Sequence, residues 1–258
     1  MLISVITINY NNSAGLRETI ESVMGQTYRD VEYIVVDGGS TDESVDVIGE
    51  HAAGISWWIS EKDSGVYDAM NKGIARATGE YLLFLNSGDY LYSNKSLELF
   101  AAEQRGADIV YGNLQVIGNP DKWVKTYPAK LSFRYFLNDT LPHPSSFMKR
   151  ELFTKCGLYD TGFRIAADWA FFIKAICKNG ASYTHINEVF SSFKYDGMSS
   201  KAENQAIIAA EKEAYLHAEF PMFIDDYLES ESALKKYHRL QHSRVRKLLA
   251  RIFKQLDI

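Results

Sequence analysis

The 258-residue sequence is poor in residues that cross-link or interrupt a chain, with two cysteines and five prolines. Cys156 and Cys177 are too few for a cysteine zinc site, and no zinc-ligand spacing surrounds them. We therefore expect two reduced thiols in a cytoplasmic protein. The chain has no low-complexity tract and no apolar run of transmembrane length, and no basic segment precedes the first strand, so we expect neither a membrane span nor a signal peptide.

Two common phosphate-binding motifs are also missing. No Gly-x-Gly-x-x-Gly follows the first predicted strand, and no P-loop sequence occurs. These absences exclude the usual dinucleotide-binding site and the P-loop nucleotide hydrolases. Any phosphate bound by this chain would be met by a metal ion and by side chains.

The rest of the composition is that of a globular enzyme, with 46% hydrophobic, 24% charged and 13% aromatic residues. The net charge of -5 is unevenly spread, because residues 233–258 carry eight basic side chains against one acidic side chain. The remainder has 20 basic and 32 acidic residues, so a basic tail follows an acidic body. That body, and the lack of aromatics interleaved with the basic residues, argue against nucleic-acid binding.

Short apolar runs alternate with amphipathic stretches in the first half of the chain. Strands are expected over 2–8, 31–36, 55–59, 81–85 and 108–111, and those at 31–36 and 81–85 are expected to be buried. Helices are expected around 16–24, 45–48, 66–74, 151–156, 168–176 and 202–218, and a last one over 233–256 after a break at Pro221. A strand-helix order with short connections predicts parallel strands and right-handed crossovers, and hence an α/β fold.

Polar side chains stand at the carboxyl ends of three predicted strands: Thr7, Asn9 and Tyr10, then Asp37, then Asp89. Because parallel strands present their carboxyl ends at one sheet edge, we expect these side chains to line one pocket. A carboxylate such as that of Asp89 suits a divalent cation that neutralises a phosphate ligand. A nucleotide-type substrate is therefore predicted.

Six segments resemble, in order and spacing, family 2 of the inverting glycosyltransferases. They are Val-Ile-Thr-Ile-Asn-Tyr-Asn at 5–11, Ile-Val-Val-Asp-Gly-Gly-Ser-Thr-Asp at 34–42, Asp-Ser-Gly and Asp-Ala-Met-Asn-Lys-Gly within 63–73, Leu-Asn-Ser-Gly-Asp at 85–89, His-Pro-Ser-Ser-Phe at 143–147 and Ala-Ala-Asp-Trp at 166–169. The resemblance implies a GT-A fold with a Rossmann-like, mostly parallel central sheet and flanking helices. It also implies a catalytic domain over 1–200, divided into a nucleotide-sugar half at 1–115 and an acceptor half at 116–200, before a helical C-terminal extension at 201–258.

The resemblance also implies roles for single residues. Asp168 corresponds to the general base, and Asp89 to the ligand of Mn²⁺ or Mg²⁺. The donor is a nucleotide-diphosphate sugar, with UDP as the preferred nucleotide. The implied donor-site residues are Thr7, Asn9 and Tyr10 beside the base, Asp37 and Asp63 facing the nucleoside, and Asn71, Lys72 and His143.

Three positions depart from the common pattern of this family. Residues 86–89 read Asn-Ser-Gly-Asp where an Asp-x-Asp-Asp run is usual, Gly38 stands where a second acid often follows Asp37, and Ala167 stands where a Glu often precedes Asp168. The expected acceptor is a saccharide or a lipid-linked saccharide, as in surface polysaccharide or glycolipid assembly.

Several alternatives stay open at the level of sequence. Aromatic residues within 123–136 could stack on sugars or pack in the core. The loop at 193–200 could close over the donor. The basic helix at 233–256 could lie on the inner face of a membrane, pack on its own domain or pack in a homodimer. A nucleotidyltransferase and a nucleotide-sugar-binding protein without turnover are the competing functions.

Overall fold

The computed structural model describes residues 1–118, 120–195 and 197–241. Contacts divide the chain into two units, the first covering Met1–Ile208 and the second starting at Ala209. The domain boundaries predicted from the sequence, after residue 115 and after residue 200, stay predictions. None of the helices in the described ranges has both the length and the apolarity needed to cross a membrane.

The first unit is built on a mixed sheet of nine strands in the described residues. The strands are β1 Ile3–Asn9, β2 Val31–Asp37, β3 Trp57–Ser60, β4 Tyr81–Phe84, β5 Tyr90–Leu91, β6 Ile109–Ile117, β7 Lys122–Lys125, β8 Ser146–Lys149 and β9 Tyr183–Lys194. Their order is β3-β2-β1-β4-β8-β6-β9-β5, with β7 also paired to β6.

Helices connect these strands and cover both faces of the sheet. They are α1 Ser13–Met24, α2 Ser44–His51, α3 Val66–Arg76, α4 Ser96–Glu103, α5 Phe133–Asn138, α6 Glu151–Lys155 and α7 Ala167–Ile173. Two further helices, α8 Gln205–Glu219 and α9 Pro221–Gln241, follow the last strand. A π-helical turn, Lys174–Lys178, extends α7. The first helix begins after Asn12, whose side chain accepts a hydrogen bond from the Gly15 amide and so satisfies one of the exposed first-turn donors.

The four strands β3, β2, β1 and β4 form a parallel block, as predicted. The apolar runs of β1, β2 and β4 are buried on both faces, which is typical of parallel strands covered by crossover helices, whereas β3 is the partly exposed edge strand. Asn9 and Asp37 are paired at the last positions of β1 and β2. These two polar residues are therefore positioned by the sheet itself.

The second half of the sheet continues in the same direction after one reversal. Strand β8 is antiparallel to both β4 and β6, and β9 is parallel to β6. Two antiparallel steps restore the strand direction, so β6 and β9 run the same way as β4. The carboxyl ends of β1, β2, β4, β6 and β9 consequently meet at one edge of the sheet.

The hydrophobic core on one face joins the sheet to α1, α2 and α4. In this core the ring of Phe100 stacks on that of Phe147, with ring centroids 3.7 Å apart. Fully burying an apolar side chain of this kind stabilises the fold by roughly 1.5–3 kcal/mol. This core therefore holds α1 against one face of the sheet.

The opposite face carries α3, α6 and α7. A Cβ added to Gly73 of α3 would lie 2.5 Å from Cγ2 of Ile6, so the missing side chain lets α3 lie directly on β1. Beyond it, an aromatic cluster joins β4 to α6 and α7 through the rings of Phe84, Phe153, Tyr159, Phe171 and Phe172. The cluster connects the sheet directly to the helix that carries Asp168.

The second unit contains the end of α8 and the whole of α9. Phe220 is buried there and contacts the rings of Tyr215 and Phe223. Pro221 is the first residue of α9 rather than a break before a later helix, because its fixed φ angle suits a helix start. The predicted basic helix at 233–256 falls partly within α9, and its residues 242–256 lie outside the described residues.

Candidate active site

Asp37 is the hub of a hydrogen-bond network at the carboxyl ends of β1, β2 and β3. Its carboxylate accepts hydrogen bonds from Asn9 Nδ2 at 2.7 Å, from Ser60 Oγ at 2.6 Å, and from the Ser40 amide at 2.9 Å and the Gly39 amide at 3.2 Å. The Ser40 hydroxyl is a further donor. Burial alone would raise the pKa of Asp37, but these hydrogen bonds outweigh burial and hold that pKa below its ordinary value. Asp37 thus orders the 38–42 turn, while its predicted nucleoside contact stays a prediction.

Thr7 and Asn9 lie near the carboxyl end of β1, at the same edge of the sheet. Thr7 is fully buried, and its hydroxyl lies 3.0 Å from the Tyr33 hydroxyl. Asn9 is 4% exposed, and its Oδ1 atom is buried without a hydrogen-bond partner. An unpaired buried amide oxygen is costly, and it is a candidate contact for a ligand donor group.

Tyr10 and Asp63 pack closely beside Gly38. A Cβ on Gly38 would lie 2.5 Å from Asp63 Oδ2 and 3.3 Å from Tyr10 Cδ2. Asp63 is held in place by the Gly65 amide, which donates to its Oδ1 at 2.9 Å, and Tyr10 is 67% exposed. The Asp63 carboxylate therefore lies next to Gly38, the position where a second acid often follows Asp37 in this kind of sequence. The Tyr10 ring beside it is a surface on which a base could stack.

Asn71 and Lys72 of α3 have different surroundings. The Asn71 amide exchanges two hydrogen bonds with the backbone of Tyr159, at 2.8 and 3.0 Å, so it ties α3 to the loop before α7. Lys72 Nζ lies 2.8 Å from Glu61 Oε1 and 3.6 Å from Asp68 Oδ2. The hydrogen bond to Glu61 raises the pKa of Lys72. Its predicted contact with the donor stays a prediction.

The loop at 86–89 is attached to the start of α1. Thr19 Oγ1 donates to the Asp89 carbonyl oxygen at 2.7 Å and accepts from the Gly88 amide at 3.0 Å. Asn12 Nδ2 donates to the Ser87 carbonyl oxygen at 2.9 Å. Gly88 has φ +103, a conformation that favours glycine. The backbone around Asp89 is therefore fixed from the side of α1.

The oxygen atoms of this loop fit a metal ion that is shared with phosphate groups. Within the described ranges, no group of three or more His, Cys, Asp or Glu side chains is placed to hold a metal ion. Mg²⁺ is commonly bound by only one or two carboxylates together with substrate phosphates and water. Asp89, the predicted metal ligand, has a carboxylate of this kind, and Asn86 Oδ1 is a buried oxygen without a hydrogen-bond partner. Hard oxygen atoms of this type suit Mn²⁺ or Mg²⁺ completed by a diphosphate, and the metal contact of Asp89 stays a prediction.

Asp168, the second residue of α7, is oriented by a tyrosine of α3. The Tyr67 hydroxyl lies 3.2 Å from Asp168 Oδ1 and also donates to the Ile165 carbonyl oxygen. Burial, with the charge of Asp168 second, raises the pKa of Tyr67 well above its ordinary value, so the phenol stays protonated and donates. Because Tyr67 lies in the first turn of α3, it holds the Asp168 carboxylate at the carboxyl edge of the sheet.

His143 belongs to the aromatic cluster. Its ring stacks on Phe84 at 5.0 Å, and its Nε2 lies 2.9 Å from the Tyr159 hydroxyl. Burial lowers the pKa of His143, and the charge of Asp168 offsets that effect only in part. The imidazole is therefore neutral at pH 7 and packed between the sheet and α7, and its predicted donor contact stays a prediction.

The structure thus brings seven of the ten predicted site residues together in two groups at one edge of the sheet. Asn9, Tyr10, Asp37 and Asp63 surround the 38–42 turn. Asn71, His143 and Asp168 are linked through Tyr67 and Tyr159. These two tyrosines were not predicted as site residues from the sequence, although Tyr67 lies within the 63–73 segment.

Comparison of the sequence with family profiles identifies the family of this chain. The profile described as Glycosyl transferase family 2 matches residues 4–176, which include every predicted site residue. The chain belongs to glycosyl transferase family 2. The predicted family and the predicted enzyme class, a glycosyltransferase, are confirmed.

Curated relatives agree with this family membership. An uncharacterized glycosyltransferase of Mycobacterium tuberculosis is 35% identical over 237 residues, which cover 85% of this chain and 85% of the relative. A PGL/p-HBAD biosynthesis glycosyltransferase of Mycobacterium bovis is 32% identical over 206 residues, covering 77% of this chain and 79% of the relative.

Solved structures of glycosyltransferases confirm the predicted GT-A fold of this family 2 chain. TarS of S. aureus in complex with UDP-GlcNAc matches with a TM-score of 0.63 at 20% identity, covering 75% of this chain. The matched part is 58% of that TarS chain, so this chain spans little more than half of it. The mannosyltransferase PcManGT from Pyrobaculum calidifontis, in complex with GDP-Man and Mn²⁺, matches with a TM-score of 0.57 at 17% identity, covering 99% of this chain and 87% of that chain.

Proposed function

We propose that this family 2 glycosyltransferase is a metal-dependent, inverting enzyme that moves a sugar from a nucleoside-diphosphate donor to an acceptor hydroxyl. The observation that carries the proposal is the position of Asp168. Its carboxylate is held at the functional edge by Tyr67, at the start of a helix whose backbone fixes it. A general base needs this combination of fixed geometry and access to the reacting hydroxyl.

In this mechanism, Asp168 accepts the proton of the acceptor hydroxyl. The hydroxyl oxygen forms a bond to the anomeric carbon from the face opposite the diphosphate, and the bond from that carbon to the diphosphate oxygen breaks. A single displacement of this kind inverts the anomeric configuration. Asp89 and Asn86 would hold the metal ion, which supplies positive charge to the leaving diphosphate.

Tyr10 and Asp63 support a nucleotide subsite in this proposal. The exposed Tyr10 ring offers a stacking surface, and the Asp63 carboxylate beside it accepts hydrogen bonds from a base. We propose UDP as the nucleotide, and the TarS complex with UDP-GlcNAc supports this choice. Because PcManGT is in complex with GDP-Man, GDP is the nucleotide to compare with UDP in binding tests.

The relatives support an acceptor in glycolipid or polysaccharide assembly. One of them is named for PGL/p-HBAD biosynthesis, and we extend only the class of acceptor, a saccharide or lipid-linked saccharide, to this chain. A cytoplasmic location with peripheral membrane contact through residues 233–256 belongs to the same proposal. Sedimentation with anionic phospholipid vesicles, compared for the full chain and a chain ending at 241, tests that contact.

Donor binding and donor hydrolysis test the reaction. We expect UDP-sugars to bind with Mn²⁺, Asp89→Ala to lose that binding, and Asp168→Asn to bind donor but turn it over at least ~100-fold more slowly. Asp46→Asn, which changes an exposed carboxylate of α2, is the matched control. Donor binding without turnover in the wild type would instead identify a binding protein, and turnover unaffected by Asp168→Asn would remove the proposed base.

A further inference from the structure

Two large aromatic side chains are exposed side by side at the carboxyl ends of β6 and β9, outside the candidate active-site residues described above. Trp123 of β7 is 45% exposed, and Tyr195, directly after β9, is 55% exposed. Their ring centroids are 6.0 Å apart with an interplanar angle of 59°. A single exposed aromatic residue needs no explanation, whereas an adjacent pair is typical of a surface that binds a ligand.

The backbone holds both rings in place. Trp123 is paired with Val116 in the β6-β7 hairpin, and the Tyr195 amide donates to the Ile117 carbonyl oxygen at 2.8 Å. Gly118 leaves room for the indole, because a Cβ there would lie 3.2 Å from Trp123 Cζ3. A surface formed before binding loses little conformational freedom when a ligand arrives.

The pair lies close to the loop that carries Asp89. Lys194 of β9 pairs with Glu18 on α1, and a Cβ on Gly88 would lie 4.0 Å from Lys194 Cδ. Tyr195 directly follows Lys194 in the chain, and its contact with Trp123 places that ring in the same region.

Asp168 lies at the same edge of the sheet as this pair. Strands β6 and β9 run in the direction of β4, so their carboxyl ends lie at the edge where Asp89 follows β4. The contact with Tyr67, in the first turn of α3, holds the Asp168 carboxylate at that edge too. Trp123 and Tyr195 are thus located at the edge of the sheet that carries Asp89 and Asp168.

The chemistry around the two rings favours a saccharide over a hydrocarbon chain. The electron-rich face of an aromatic ring attracts the polarised C–H groups on the apolar side of a pyranose. Two residues after Trp123 in β7, Lys125 is the next side chain on the same side of the strand. Its Nζ lies 2.8 Å from Asp139 Oδ1, so hydrogen-bonding groups adjoin the indole. A hydrocarbon chain would need a continuous apolar surface instead, and the neighbouring Val124 points to the other face of β7.

We propose that Trp123 and Tyr195 form a stacking platform for a sugar ring of the acceptor. The enzyme then extends an acceptor that already carries at least one saccharide, and another glycosyl transfer must supply that sugar first. This inference rests on the proposed function, because it assigns the platform to the acceptor of the same reaction.

Saturation-transfer NMR on the full chain tests the platform with a defined probe, an equimolar mixture of the methyl pyranosides of glucose, galactose, mannose, rhamnose and N-acetylglucosamine. We expect at least one pyranoside to receive signal at its ring C–H groups. Trp123→Ala and Tyr195→Ala should each weaken that binding by about 10-fold, whereas Trp123→Phe and Tyr195→Phe keep most of it. Trp58→Ala, which removes a tryptophan 39% exposed on β3, is the matched control.

UDP binding with Mn²⁺, measured on the same samples, separates this inference from the proposed function. If UDP binds but no pyranoside receives signal, or if the alanine variants keep the full signal, the platform is refuted. Signal transferred to a polyprenyl phosphate in detergent micelles but to no pyranoside would also refute it, in favour of a lipid-binding surface. If pyranosides bind through Trp123 while UDP does not bind at all, the platform stands and the proposed function fails.

Discussion

At the scale of single residues, the network at the ends of β1, β2 and β3 depends on a carboxylate that is stabilised by neutral hydrogen-bond donors. Asp37 is fully buried, yet its pKa is held below its ordinary value because hydroxyl and amide groups of Ser40, Ser60 and Asn9 point at its oxygens. A charged group buried without such partners would destabilise the fold. The position of the 38–42 turn is therefore coupled to the charge of one side chain.

Replacing Asp37 by Asn should cost about 1–3 kcal/mol of unfolding free energy, because the new amide group faces hydrogen-bond donors. The folded-state pKa of Asp37 is lower than the unfolded-state pKa, so its contribution is complete above the unfolded-state value. That contribution is lost as the pH falls through the folded-state pKa. Urea unfolding at pH 7 and pH 3 should show a smaller loss on acidification in the variant than in the wild type.

Ser60→Ala is the control for this measurement, since it removes one donor and leaves the carboxylate, at a cost of about 0.5–1.5 kcal/mol. An Asp37→Asn variant with wild-type stability at pH 7 would contradict the role given to the network.

Gly38 and Asp63 should be coupled in nucleotide binding. Gly38→Asp places a side chain where the Asp63 carboxylate lies, 2.5 Å from the new Cβ, and should weaken UDP binding by at least about 10-fold. Adding Asp63→Ala to Gly38→Asp returns one carboxylate to that space and should recover part of the lost affinity. Calorimetric titration of the two single variants and the double variant measures this coupling.

Asp63→Asn is the matched variant in that series, because it keeps the size of the side chain and removes its charge. Strictly additive losses in the double variant would show that the two positions do not share one space.

At the scale of elements, the contact of α3 with β1 sets the position of the residues on that helix. Tyr67, Asn71 and Lys72 all belong to α3, and Asp168 is oriented by the first of them. The close approach depends on Gly73, which faces Ile6. A small displacement of α3 would move these three residues together and would separate Tyr67 from the Asp168 carboxylate on α7.

Gly73→Ala should destabilise the protein by about 1–3 kcal/mol, because its Cβ would overlap Ile6. It should also lower turnover, since the displaced helix moves Tyr67 away from Asp168. Thermal unfolding and donor hydrolysis measure the two effects.

Gly49→Ala, in α2, is the control with the opposite expected sign. A Cβ there meets no atom within 4 Å, so the change should stabilise the helix by roughly 0.5–1 kcal/mol. If Gly73→Ala were as harmless as Gly49→Ala, the close packing of α3 would not matter for stability.

At the scale of the whole molecule, the parallel block could be predicted because its strands are continuous apolar runs between turn residues. Strands β5, β7, β8 and β9 were not predicted, since they form antiparallel or irregular pairs and β9 changes register with β6 near Asn113. Asp89 and Asp168 were found as parts of sequence motifs. The contact of Tyr67 with Asp168 joins positions 101 residues apart, and only the folded chain shows it.

Metal and nucleotide should stabilise the folded chain only in combination. The protein offers few oxygen ligands around Asp89, so Mn²⁺ alone should leave the melting temperature nearly unchanged. UDP and Mn²⁺ together should raise it, because binding at about 100 times Kd adds about 2.7 kcal/mol of stability. Chelation by EDTA should reverse the increase, and Asp89→Ala should abolish it.

A rise produced by Mn²⁺ alone would indicate a metal site formed entirely by protein groups. A rise produced by UDP in the presence of EDTA would show that the metal is not needed for nucleotide binding.

The network around Asp37 also has a consequence for the behaviour of the enzyme in salt. Mobile ions screen exposed ion pairs, such as Lys72 with Glu61, over a Debye length of about 8 Å at physiological ionic strength. The hydrogen-bond donors named for Asp37 are uncharged and in direct contact with a fully buried carboxylate, so dissolved ions cannot come between them. The turn at 38–42 should therefore keep its shape in concentrated salt, and any loss of donor affinity there should come from the exposed charges of α3.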